Sequence, residues 1–283
     1  MRPVVGVETG AGSTLVAESE HTVPLRALCQ RLLGWGDDRM CAVNQALRAI
    51  RLAKALRTSL LLRGEGDLVP IAYAIHRFTV GSAAPFIVCD RRRRDTNASV
   101  RSPQNVPGGI EAFARAVGGT LCLWHERLPA DIDEVRRCAR APNSEVQLIV
   151  CARLQRRAAS ADGNPTIEIP RLQLRERELS RIVDEYAEDA ITALKLGLDH
   201  LDHDDRDWLM AHCARSLAEI EKATLRIVAL SASKNCAQAA ALLGMAPVSL
   251  VRWLGRRPPR ALRSAALSRH QVAEHNAQLG ARR

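Results

Sequence analysis

The sequence predicts an α/β protein in which a parallel sheet flanked by helices gives way to a purely helical C-terminal region. Four short apolar runs, "TSLLL" (58–62), "PFIVC" (85–89), "TLCLW" (120–124) and "VQLIVC" (146–151), read as buried strands. The segments between them are long enough for helical crossovers, which is what parallel pairing requires. After Pro170 the strand-like runs stop and apolar residues recur only at three- and four-residue spacing. With 283 residues, 47% hydrophobic and 25% charged, the chain has the composition of a globular protein of two or three compact units.

In chain order, residues 1–31 mix Gly, Ser, Thr and Glu without a clear period and are expected to form a short tail. Helices are expected at Met40–Leu56, Leu68–Phe78 and Asp131–Arg140. Past Pro170, "LRERELSRIVDEYAEDAITALKLG" and "DDRDWLMAHCARSLAEIEKATLRIVALSAS" make an acidic helical subdomain. Within the second of these, Ser216 and Glu219 have the S-x-x-E spacing of a capping box, so a new helix should start near Leu217. Two prolines, Pro258 and Pro259, separate whatever follows Arg257.

Net charge is +10, and Arg252 to Arg283 holds eight arginines against one acid, Glu274. Such an excess points to a polyanionic partner. The eight cysteines are scattered singly with no C-x-x-C spacing, the pattern of reduced thiols and not of a disulfide framework. The N-terminus lacks an apolar signal core and no stretch reaches 18 apolar residues, so a cytoplasmic protein with no membrane partner is expected.

The most informative stretch is "KNCAQAAALLGMAPVSLVRWLGRR" (234–257). Ala239 and Ala240 permit a close helix crossing, Gly244 suits a tight turn, and Leu243, Leu250 and Leu254 can close a small core. This predicts a helix-turn-helix. On a second helix from Pro247 to Arg257, residues Ser249, Arg252, Trp253 and Arg256 share one face, which could enter a major groove. Arginine there can donate two hydrogen bonds to guanine or one to phosphate, and Arg257 with the tail adds salt-sensitive attraction. The plainer reading is a surface helical hairpin with solvated arginines, and Trp253 could instead pack against a neighbour.

The segment "EKATLRIVALSASKNCAQAAALLGMAPVSLVRWLGRR" resembles the Fis-type DNA-binding domain that ends bacterial enhancer-binding proteins, the sigma-54-dependent activators. Upstream, about Leu32 to Leu225 resembles their AAA+ module. "LLGWGDDRMCAVNQALRAIRLAKALRTSLLLRGEG" is similar to the approach to a Walker A loop, "FARAVGGTLCLW" to that of Walker B, and "IPRLQLRERELSRIVDEYAEDAI" to the entry of the lid. The resemblance implies a degenerate AAA+ α/β domain over 32–172, a helical lid over 173–215, a Fis-type helix-turn-helix over 216–257 and a basic tail over 258–283. The departures are as telling. A phosphate loop needs a lysine and a hydroxyl after its glycines, and here Gly64, Glu65 and Gly66 are followed by "DLVP". Walker B meets Trp124, His125 and Glu126 without the magnesium-binding aspartate, the sigma-contact loop has no room, the arginine-finger segment is too short, and Ala218 stands at the lid's sensor position. Positioned charge is most of phosphoryl-transfer catalysis, so no ATPase activity, no nucleotide site and no cofactor are expected.

What the resemblance implies is therefore a regulator that binds double-stranded DNA, as a homo-oligomer and most simply a dimer, on a scaffold that no longer hydrolyses ATP. The alternative is a pseudo-ATPase that joins and modulates other, intact AAA+ activators. Lesser features have ordinary explanations. His200 and His203 lie among acids, but a capping role for Asp202, Asp204 or Asp205 explains "DHLDHDDRD" without a metal. His125 beside Glu126 lacks a nucleophile or metal, His76 fits a packed or capping histidine, and Arg91 to Arg94 could grip DNA backbone or an acidic partner but read first as a solvated charge run.

Overall fold

The computed structural model describes residues 12–98, 102–154 and 163–256, so Arg257 and the basic tail lie outside the described residues. Its contacts divide the chain into two compact units. The first comprises the chain to Gly64, Leu68–Thr96 and Gln104–Ile169; the second comprises Glu65–Asp67, Asn97–Pro103 and Pro170 onward.

The first unit opens with a helix where a tail was expected. Helix α1 (Gly12–Leu33) buries Leu25, Leu28, Cys29 and Leu32, a spacing of three, one and three residues that places them on one face. Helix α2 (Asp37–Leu56) starts three residues before the expected Met40, with Asp37 and Asp38 in the first turn, where a helix favours negative charge. It stops at Arg57 in the left-handed region (φ 51°). Strand β1 (Leu60–Gly64) leads to α3 (Val69–Thr79), whose first turn holds Pro70, a position at which the missing N–H costs nothing. Then follow β2 (Phe86–Cys89), β3 (Gln104–Asn105), α4 (Gly109–Arg115), β4 (Thr120–Trp124), α5 (Ile132–Arg140), β5 (Gln147–Arg153) and β6 (Thr166–Glu168).

The six strands form one sheet in the order β3-β2-β4-β5-β1-β6, and every pairing is parallel. The four strands expected from apolar runs are its four central members. Each is buried along most of its length, because helices cover a parallel sheet on both faces. Leu121 and Leu123 of β4 join Leu148 and Val150 of β5, Ala112 and Ala116 from the α4 region and Val135 of α5 in one core cluster. Gly119 lets β4 begin under the β2 lead-in: a Cβ there would lie 1.9 Å from the Pro85 carbonyl oxygen. The Thr120 N–H donates to that same oxygen at 2.9 Å.

The second unit, apart from its short segments, is helical, as the sequence predicts. A 3-10 turn (Leu172–Glu178) enters α6 (Leu179–Ala193), followed by α7 (His203–Cys213), α8 (Leu217–Ser231), α9 (Cys236–Leu242) and α10 (Pro247–Arg256). Ser216 caps α8 where expected, its Oγ accepting from the Glu219 N–H at 3.2 Å, while the Glu219 carboxylate receives both Nε and an Nη of Arg215 at 3.0 and 2.9 Å. Asp202 is the acid that caps α7, accepting from the Asp204 N–H at 2.9 Å. No single described helix is long and apolar enough to cross a membrane.

Candidate nucleic-acid interface

Four of the five expected groove-facing residues, Ser249, Arg252, Trp253 and Arg256, lie on the last described helix, which α9 precedes. Asn235 caps α9 by accepting from the Gln238 N–H at 2.8 Å, and the Gln238 side chain accepts from the Lys234 N–H at 3.0 Å. After Leu242 the chain turns at Gly244 (φ 59°), with the Gly244 N–H donating to Ala241 O at 3.0 Å and the Met245 N–H to Ala240 O at 2.9 Å. Helix α10 then leaves at 114° to α9. Ala239, Ala240, Leu243 and Leu250 are buried together with Ala229 and Leu230 of α8, and Leu254 packs against them. Alanine at the crossing allows the close approach that a larger side chain would block.

Inward placement of Leu250 and Leu254 turns the other side of α10 to solvent. Ser249 and Arg252 are both exposed there, as are Val248 (61%) and Val251 (54%). The valines were not singled out from the sequence, where an apolar residue beside Leu250 reads as core. Of the remaining expected contacts, Arg256 is the last residue of α10, its side chain lying outside the description, and Arg257 lies outside the described residues altogether. Trp253, expected to face the groove, packs inward instead. Its ring meets Trp208 of α7 edge-on at 5.9 Å and is covered by the Arg226 guanidinium of α8 at 5.0 Å, so it is packed within the unit and half-buried. The i+3 step from Leu250 places it at the margin of the two faces, and an indole with partners available on the inner side packs inward.

Strand β1 ends at Gly64, and the loop that follows it carries Glu65, Gly66 and Asp67. Within the second unit, Glu65 pairs with Arg171 at 2.9 Å and Asp67 with Lys222 of α8 at 2.7 Å. Gly66 (φ 78°) lies against Ser216, whose Oγ would be 2.7 Å from a Cβ. Asp67, Ser216, Glu219, Lys222 and Arg226 line a cavity of about 370 Å³ beside Trp253. Its lining carries two acids and two cations, with Lys222 paired to Asp67 and Glu219 paired to Arg215 from outside the lining.

His76 and His203 make defined contacts. His76 is fully buried, its Nδ1 2.9 Å from Thr120 Oγ1 and its Nε2 3.2 Å from Ala84 O. A carbonyl can only accept, so Nε2 carries the proton, and burial pushes the ring's pKa down toward this neutral form. His125 sits at the carboxyl end of β4, where Glu126 accepts from the Arg153 N–H at 3.0 Å, and His203 pairs with Asp207 at 3.1 Å. Among the described residues no group of three or more His, Cys, Asp or Glu side chains could hold a metal ion. None of the eight cysteines is in a disulfide; burial pushes the Cys29 thiol up to about 12 and Cys89 to about 11.

Asp205 of α7 is buried, with one oxygen 3.4 Å from Ser231 Oγ and the other without a hydrogen-bond partner among the described residues. Burial first, then the negative charge of Asp202, raises its pKa. A carboxyl whose folded-state pKa lies above its unfolded value contributes stability that is complete below the unfolded pKa and is lost as pH rises through the folded one. Asp205→Asn is therefore expected to raise the melting temperature at neutral pH, with the gain shrinking as pH falls toward the ordinary carboxyl range. Calorimetry of both proteins across that pH range checks it; a variant that melts lower at pH 7 contradicts it.

No protein-family model and no curated protein matches the sequence. Among solved structures, the chain is similar to NtrX from Brucella abortus in complex with ATP, at 15% identity over 86% of this chain and 74% of that one, with a TM-score of 0.44. The ADP complex gives the same identity and coverage with a TM-score of 0.43. A further NtrX structure gives 14% identity over 79% and 55%, with a TM-score of 0.41.

Proposed function

We propose that this chain is a DNA-binding transcriptional regulator that reads the major groove with α10 and does not turn over ATP. The observation that carries this is the exposed face of α10, with Ser249 and Arg252 outward and Leu250 and Leu254 inward, on a helix set at 114° to α9 by the Gly244 turn. Two short helices at such an angle, joined by a tight glycine turn, form a helix-turn-helix, and the second helix of that motif is the one that enters the groove. The excess of eight arginines over one acid from Arg252 onward supplies long-range attraction for phosphate. Dimerisation would pair two such helices on a palindromic site with half-sites about one helical turn apart.

The α/β portion serves as scaffold in this reading, a degenerate AAA+-like domain. The ion pairs of Glu65 with Arg171 and Asp67 with Lys222 support the loss of phosphate binding, since the loop's side chains offer carboxylates where a nucleotide needs cations. Incubation of the purified chain with ATP and magnesium is expected to release phosphate at the rate of buffer alone. Turnover above that rate would contradict the scaffold role. Selection from a random duplex pool should in turn yield one enriched sequence, and an unenriched pool would contradict groove reading.

A further inference from the structure

The run Arg91–Arg94 follows β2, and four adjacent like charges repel one another, so a defined turn there needs a fixture. The structure supplies that fixture. Asn105 of β3, almost fully buried, accepts from the Asp90 N–H at 3.0 Å and donates to the carbonyls of Asp90 (3.3 Å), Arg93 (3.3 Å) and Arg94 (3.0 Å). Asn105 and Thr96 exchange backbone hydrogen bonds at 3.0 and 3.1 Å, closing the turn from its far side. Asp90 is fully buried; one of its oxygens accepts from the Arg92 N–H at 3.0 Å and the other pairs with Arg93 and with Arg127, whose guanidinium lies over the Trp124 ring.

This arrangement sorts the arginines. Arg93 and Arg127 neutralise the buried carboxylate, and Asp95 is engaged by Arg115 at 3.5 Å. Arg91, Arg92 and Arg94 remain exposed with no acidic partner among the described residues. A solvated charge run needs no buried asparagine to hold its carbonyls. We propose that Arg91, Arg92 and Arg94 form a preorganised, sequence-independent contact to the phosphate backbone of duplex nucleic acid, separate from the base-reading face of α10. The choice of ligand rests on the duplex-binding reading above. Three exposed guanidinium groups within four consecutive residues suit a linear array of phosphates, which can engage all three, better than a single small anion.

The test is the salt dependence of binding by the full chain to a duplex of unrelated sequence, measured by fluorescence anisotropy. The variant R91Q/R92Q/R94Q changes only exposed side chains and should melt as the parent does. Each lost phosphate contact removes about 0.9 from the slope of log affinity against log salt, so the affinity lost between about 50 and 200 mM salt should be about 40-fold smaller for the triple variant. R91K/R92K/R94K should restore the slope. An unchanged slope in the glutamine variant overturns the proposal, as does a variant that loses binding to polyglutamate while its duplex slope stays that of the parent, since the turn would then serve an acidic protein. A glutamine variant with the reduced slope, in a protein that enriches no sequence from a random pool, would leave this contact standing and remove the groove-reading role of α10.

Discussion

Replacing Arg252 and Arg256 together by alanine should reduce binding at a selected site to the level of unrelated DNA while leaving the melting temperature unchanged. Arg252 is exposed on α10, one turn after Ser249, and Arg256 follows one turn later along the same face. A bidentate arginine contact to guanine contributes about 1–3 kcal/mol of discrimination, so the pair should cost at least roughly 30-fold against the preferred sequence. Two features separate this from a loss of fold. Arg252 is exposed and apart from the buried cluster of Leu243 and Leu250, and nonspecific binding should persist through the remaining cations. Competition between the selected and a scrambled duplex measures the effect, and a double variant that keeps its preference contradicts the assignment of this face.

Leu250→Ala should act in the opposite manner, through the fold. The side chain is fully buried among Leu230, Ala239, Ala240 and Leu243. Two of these neighbours are alanines, whose single methyl groups cannot swing into the space that truncation leaves. A cost of about 2–5 kcal/mol is expected for a leucine removed from such a site. The loss should be local. Amide exchange over Cys236–Leu242 and Pro247–Leu254 should accelerate, while the β1, β4 and β5 amides keep their protection. DNA binding should fall in proportion to the unfolded fraction. Unchanged exchange in α9 and α10 would show that Leu250 does not hold the two helices together.

The central sheet was legible because its strands announce themselves. "TSLLL", "PFIVC", "TLCLW" and "VQLIVC" are continuous apolar runs, and continuous burial is what a parallel sheet covered on both faces imposes. Strands β3 and β6 span two and three residues, too few to set a period, and they are recognised only through their pairing with β2 and β1. Helix α1 was concealed by the mixed composition before Pro24, although Leu25, Leu28, Cys29 and Leu32 carry a helical spacing. Caps were easier. Ser216 and Asp202 hold the N–H groups that their positions suggest, because capping is a local bargain between one side chain and one turn.

At the candidate interface, the inward residues were readable and the outward ones only partly so. Ala239, Ala240, Gly244, Leu243 and Leu250 follow from the geometry of one crossing and one turn. Trp253 depends on Trp208 and Arg226, which come from other helices, and no local spacing reveals such partners. Arg91 to Arg94 show the same divide. Their charge is evident in the sequence, but the buried Asn105 that fixes their turn lies on a two-residue strand.

The most direct measurement is a protection footprint of the unaltered chain on a duplex selected from a random pool, taken at near-physiological salt with a scrambled duplex in excess. Groove reading by α10 predicts a discrete protected segment, centred on the enriched sequence and lost in the Arg252 and Arg256 double variant. Uniform protection along the whole duplex, or none at all, would contradict it.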